Sequence, residues 1–155
     1  MLSSLLPVSM SFASNSEHES IKQVLSSFSK AYRTKDITLL DSIFAEEVTY
    51  LGGDSKSGIT DRSYLFEKGF GPVMDEKNAI EMDFKPTKIH SSQSDGYVAG
   101  YFRYFQKKED GGDYFYGKFA MFLIKDQDKH WKITLDMHNL CLKESWDSAP
   151  SEIVK

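Results

Sequence analysis

The sequence predicts a single α+β domain on three observations: apolar residues at helical spacing as far as Phe70, two-residue alternation from Ala79 onward, and Gly- and Asp-rich turns between the alternating runs. A chain of 155 residues has the size of one domain and can bury a core without staples. Its one cysteine, Cys141, excludes an intrachain disulfide and a cysteine-based zinc cage. With 19 basic against 23 acidic side chains the formal charge is −4, and the lack of a long basic run argues against a nucleic-acid partner. A hydrophobic content of 40% beside 27% charged residues excludes disorder and a membrane bundle. The 2 Trp, 8 Tyr and 11 Phe are concentrated between Tyr97 and Phe122, so function is expected in an aromatic pocket or on an aromatic surface.

Met1 to Ala13, MLSSLLPVSMSFA, is apolar and is followed by the polar run Ser14 to Glu17. It resembles the hydrophobic and cleavage regions of a secretory signal, with Ser11-Phe12-Ala13 as a loose small-x-small site. No Lys or Arg precedes it, and with Pro7 inside it the stretch is too short to span a bilayer, so export and cytoplasmic residence both stay open. Residues 1–15 are accordingly read as a signal-like or disordered segment, 16–142 as the domain and 143–155 as a C-terminal tail that frays unless Trp146 folds back.

Ser16 with Glu19 makes a capping-box pattern, and Ile21, Val24, Leu25, Phe28, Ala31 and Tyr32 then recur at helical spacing, which predicts an amphipathic helix over 17–34. Asp36 caps a shorter helix with Leu40, Ile43 and Phe44 on one side, ahead of the β-favouring run Val48 to Leu51. Residues 52–58 form a loop, and Thr60 or Asp61 starts a third helix that Gly71-Pro72 stops after Phe70. Four long antiparallel strands follow, at 79–90, 97–107, 114–125 and 131–140, joined by turns at Ser94-Asp95-Gly96, Glu109 to Asp113 and Asp126 to Lys129.

Particular strings sit in this order of elements: Tyr32 to Asp36 leading to Ile43 to Val48; Val98 to Arg103; Tyr116 to Phe119; and Trp131-Lys132-Ile133 with Asp136 and Asn139 beyond. Together they resemble the nuclear transport factor 2-like superfamily, in particular its SnoaL-like branch. The resemblance implies a cone-shaped fold, a strongly bent, mostly antiparallel sheet wrapped around the N-terminal helices. It implies no single activity, because members include isomerases, dehydratases, epoxide hydrolases, polyketide cyclases, transport factors and a kinase association domain, so the site has to be argued on its own residues.

Strand parity sorts the candidates. One face of the second long strand carries Tyr97, Ala99, Tyr101, Arg103 and Phe105, and the other Val98, Gly100, Phe102, Tyr104 and Gln106. The kinase association domain has an arginine reaching into its cavity at this place, so the resemblance implies that the Tyr101/Arg103 face lines the cavity. There Arg103 either anchors an anionic ligand group or pairs with an acid such as Asp136. On the last strand Lys132, Thr134, Asp136 and His138 share a face; Asp136 is a candidate general base or the holder of the His138 tautomer, unless the row meets solvent or a partner subunit. Lys118 matches a basic position of the family or is an exposed strand lysine. Tyr50 and Asp54 match the cavity mouth of catalytic members, with turn chemistry as the alternative for Asp54. The complete acid pattern of the isomerases and the Asp-Arg-Asp set of the epoxide hydrolases do not assemble from this sequence. No His ligand cluster or phosphate-cradling loop implies a metal or nucleotide cofactor.

Two functions follow as expectations. One is a pocket for a small hydrophobic or anionic molecule, with cofactor-free proton transfer by Asp136 and His138 and with Arg103, Tyr101, Tyr50 and Lys118 as ligand contacts. The other is a non-catalytic association module that homodimerises through Phe102, Tyr104, Phe115 and Phe119 on the outer sheet face.

Overall fold

The longest helix owes its length to a stretch without Gly or Pro: α1 runs Ser9–Thr34 and begins well before the Glu17 expected for it. The structure, a computed structural model, describes residues 9–52, 59–75, 77, 80–109 and 111–155, so Asp54 and the start of the signal-like stretch lie outside the described residues. Ser16 is inside the helix rather than at its cap, its carbonyl accepting the Ser20 hydroxyl at 2.9 Å. The helix ends in a Schellman motif: Lys35 takes φ 58°, Lys35 N–H donates to the Tyr32 carbonyl, and Asp36 N–H to that of Ala31. The whole expected stripe from Ile21 to Tyr32 is buried.

Asp36 caps α2 (Ile37–Ile43), its Oδ1 accepting from the Leu39 N–H at 2.9 Å. The chain then turns directly into β1 (Phe44–Leu51), and a short β2 (Ile59–Thr60), not expected, pairs antiparallel with its end. Asp61 caps the next helical stretch, which is α3 (Arg62–Tyr64), a π-helical turn over Leu65–Phe70 and α4 (Gly71–Asp75). Gly71-Pro72 does not stop this stretch; the chain stays helical through both residues, with the Gly71 N–H donating to the Phe66 carbonyl, and ends at Asp75.

The strands β3 (Ile80–Ser91), β4 (Asp95–Lys108), β5 (Gly111–Lys125) and β6 (Trp131–Leu140) form the expected antiparallel meander. The curved six-stranded sheet has the order β2-β1-β6-β5-β4-β3, with β1 parallel to β6. Helix α1 packs in its concave side, where Phe28 meets Phe44, Phe70 and Phe84 at ring-centroid distances of 5.5 to 5.9 Å. Two glycines permit this bend. A Cβ on Gly100 would come 2.1 Å from the Lys85 carbonyl at the β3 irregularity, and one on Gly117 would come 2.2 Å from the Phe102 ring, which lies across it.

The tail packs onto the sheet. Helix α5 (Lys143–Asp147) holds Trp146 at 3% exposure on the convex side, between the Arg103 guanidinium and the Lys85 ammonium. Val154 then exchanges two backbone hydrogen bonds with Phe84 and shields the free edge of β3.

Candidate functional site

Register builds the site row by row on the concave face. One row carries Val98, Met121, Asp136 and Tyr50; the next Gly100, Phe119 and His138; the next Phe84, Phe102, Gly117 and Leu140. With Phe28 and Tyr32 of α1 and Gly69 and Phe70 of the π-helical turn, these rows enclose a cavity of about 190 Å³. An apolar cavity of on the order of 150 Å³ suffices for benzene, so this one has room for a single ring.

Among the described residues, four polar side chains face this cavity: Asp136, His138, Tyr50 and Tyr32. Asp136 is 3% exposed, and its Oδ1 accepts no hydrogen bond among the described residues. His138 Nδ1 is 3.9 Å from that oxygen, beyond hydrogen-bonding range, while its Nε2 is 3.4 Å from the Tyr50 hydroxyl. With Tyr50 donating to Nε2, the Nδ1 proton faces Asp136. Burial, and then the negative charge of Asp136, push the Tyr32 hydroxyl well above the usual tyrosine range, so Tyr32 is a permanent phenol and a donor. The arrangement is a basic oxygen and proton-bearing groups inside an aromatic box.

Asp136 and His138 reach the cavity through a bulge. Leu123 pairs with Ile133 but Phe122 with Leu135, leaving Thr134 as the extra residue on β6. The expected row of Lys132, Thr134, Asp136 and His138 is thereby broken, and Ile133, Asp136 and His138 share the concave face instead. Lys132 is drawn to the Ser42 carbonyl and Asp126.

The sidedness expected for β4 is reversed. Tyr101 and Arg103 lie on the convex face, away from the cavity, and Arg103 pairs with Asp83, not with Asp136, at Nε–Oδ2 2.8 Å and Nη2–Oδ2 2.7 Å. Its guanidinium also lies over the Tyr114 and Trp146 rings, so packing and pairing satisfy it. Lys118 is exposed opposite Tyr101 on the same convex face. Among the described residues no Lys or Arg lines the cavity, so Arg103 is not the anion anchor expected there. Conversely Phe102, Tyr104, Phe115 and Phe119, expected outside, stand on the concave side, Phe102 and Phe119 in the cavity wall. Tyr50 lines the cavity.

The charges carried the missed signal: Arg103 and Lys118 mark one face of β4 and β5, whereas the other face between Val98 and Tyr104 carries none. Tyr32, read only as a core position of the first helix, was missed because its apolar spacing is indistinguishable from that of Phe28; its hydroxyl is the one clue that the stripe borders a polar site.

The fold is shared with solved structures of low sequence identity. A nuclear transport factor 2-like superfamily protein from Salmonella enterica is 16% identical at TM-score 0.67, covering 83% of this chain and 94% of its own. A protein described as a candidate scytalone dehydratase from Novosphingobium aromaticivorans is 14% identical at TM-score 0.70, with coverage of 83% and 86%. The CaMKII hub of S. rosetta is 13% identical at TM-score 0.64, with coverage of 88% and 100%. No curated protein matches the sequence. The family model of the SnoaL-like domain matches residues 21–138, from within α1 through the His138 row of the cavity, and the chain therefore belongs to the SnoaL-like domain family.

Proposed function

We propose that the protein binds a small, largely apolar, uncharged molecule in the concave cavity and catalyses cofactor-free proton transfer on it, of the isomerase, dehydratase or cyclase type. The observation that carries this reading is Asp136 Oδ1, a buried carboxylate oxygen with no donor among the described residues, in a wall of aromatic rings. A structural carboxylate would be paired, since leaving it unpaired costs stability. In this reading Asp136 removes a proton from a carbon next to a carbonyl, the Tyr32 hydroxyl donates to the oxygen that gains charge, and Tyr50 holds the His138 tautomer. The C–H electrons delocalise into the carbonyl and the proton returns to the substrate at another atom through Asp136 or His138, so no oxidant or reductant is needed.

The test is hydrogen exchange by NMR in D2O, with a small cyclic ketone such as cyclohexenone. The wild-type protein is expected to accelerate exchange of the acidic C–H positions over buffer, and Asp136→Asn to lose about 10²- to 10⁴-fold of that rate with its circular dichroism unchanged. A wild-type rate equal to buffer, or an unaffected variant, contradicts the assignment.

A second reading, self-association, is favoured by one observation. Tyr97, Phe122, Ile124 and Met137 form an exposed apolar patch on the convex face beside Lys118, with Tyr97 directly opposite Phe122. Patches of this kind mark interaction surfaces, and the hub neighbour bears on it at the level of the fold alone. The two readings use opposite faces of one sheet and are compatible.

A further inference from the structure

The cavity does not end at His138. A second depression of about 320 Å³ adjoins it, sharing Met82, Phe102 and His138 with the cavity wall and adding Tyr104, Phe115, Leu140 and Gln106. Its floor is set by register: Tyr104 lies opposite both Met82 and Phe115, and Leu140 opposite Gly117, where the Phe102 ring leans across toward His138. Among the described residues no Asp, Glu, Lys or Arg lines it. Leu140 is 69% exposed and Phe115 40% exposed, apolar surface on the concave side that neither the core nor the C-terminal tail covers. From Phe102 to Gln106 along β4 the trough extends about 13 Å at strand rise.

We infer that the ligand is elongated: a ring-sized head in the aromatic cavity against Asp136, and an apolar tail that passes His138 and lies along the Tyr104, Phe115 and Leu140 trough. The inference rests on the small-molecule reading above and adds the substrate class, an uncharged ring bearing a linear alkyl or similarly apolar substituent. Continuity decides for a tail over a second protein copy, because three residues belong to both depressions, one of them the histidine next to the basic oxygen. The trough is concave and adjoins the cavity directly, whereas the exposed apolar patch suited to a second copy is on the other side of the sheet.

The probes are phenol and its 4-alkyl homologues from methyl to hexyl, titrated by calorimetry into the wild-type protein and into Leu140→Asp and Phe115→Ser. Phenol supplies a ring of the right size and a hydroxyl that donates to Asp136. In the wild type each added methylene is expected to tighten binding about two- to fourfold, the upper figure being full burial of a CH2. In both variants the gain with chain length shrinks toward none while phenol itself binds unchanged, which also shows that they are folded. Phenol binding without any gain from the alkyl chain overturns the trough and leaves the cavity reading standing. An undiminished gain in both variants, or an effect of Leu140→Asp confined to oligomeric state, also overturns it. If phenol and all its homologues fail to bind the wild type, the cavity reading falls and the trough with it.

Discussion

Asp136 concentrates the conflict between stability and function that active sites carry. Its Oδ1 is buried without a donor, a state that costs about 1 to 3 kcal/mol. Asp136→Leu, which removes the orphaned group and adds apolar contact with Met121 and Phe119, is expected to raise the urea midpoint through a gain in unfolding free energy of that order while abolishing proton exchange. An unchanged or lowered midpoint would show that the carboxylate stabilises the fold. Tyr32 gives the alkaline counterpart. Its folded pKa is raised above the ordinary value of 10.0, first by burial and then by Asp136. The unfolded chain therefore loses this proton near pH 10 while the folded protein keeps it, and the native state holds more protons than the unfolded one. Stability must then fall as pH rises above 10, by about 1.4 kcal/mol per pH unit for this group. Urea unfolding on either side of pH 10 checks it: Tyr32→Phe is expected to show a decline shallower by that one-proton slope.

The bulge at Thr134 and the two glycines turn an ordinary meander into a container. The bulge rotates Asp136 and His138 onto the side that also holds Ile133. Gly117 leaves room for the Phe102 ring, and Gly100 lets the backbone of β3 come close. These two positions are expected to differ. At Gly117 the nearest obstacle to a Cβ is a side-chain ring, which moves at modest cost, although the Asn139 carbonyl also lies 2.7 Å away; at Gly100 it is the Lys85 carbonyl, which is backbone. Gly100→Ala is therefore expected to destabilise more than Gly117→Ala, both by about 1 to 3 kcal/mol in denaturant titrations, and Phe102→Leu to recover part of the loss at Gly117 alone. Elements with local causes were legible in the sequence: the Asp36 and Asp61 caps, the buried stripe of α1 and the four alternating strands. The bulge was not legible, because a single extra residue leaves composition and alternation on each side intact.

At the scale of the molecule the sheet offers two aromatic faces with different neighbours. The concave face is closed over the cavity by α1 and the π-helical turn and open along the trough, and the convex face is covered in part by Trp146 of the returning tail. The uncovered part, around Phe122 at 50% exposure, is where self-association is expected. Light scattering at micromolar concentration should give a dimer for the wild type and a monomer for Phe122→Lys, with proton exchange retained because Phe122 points away from the cavity. A monomeric wild type rejects the convex-face dimer. An assembly unaffected by the substitution moves the contact elsewhere.

The sequence by itself determined the α+β class, the family, the order of the first two helices and the four long strands, and which residues stand together on an unbulged strand, because spacing, capping and alternation are properties of short stretches of chain. Only the tertiary structure decided which face of the sheet turns inward. Parity is symmetric between the two faces, and α1 breaks that symmetry by packing its apolar stripe against Phe84 and the Val98 to Phe102 face, leaving Arg103 to pair with Asp83 beneath Trp146. The same packing brings Tyr32, Tyr50, Asp136 and His138, which come from one helix and two strands far apart in the chain, around a single cavity.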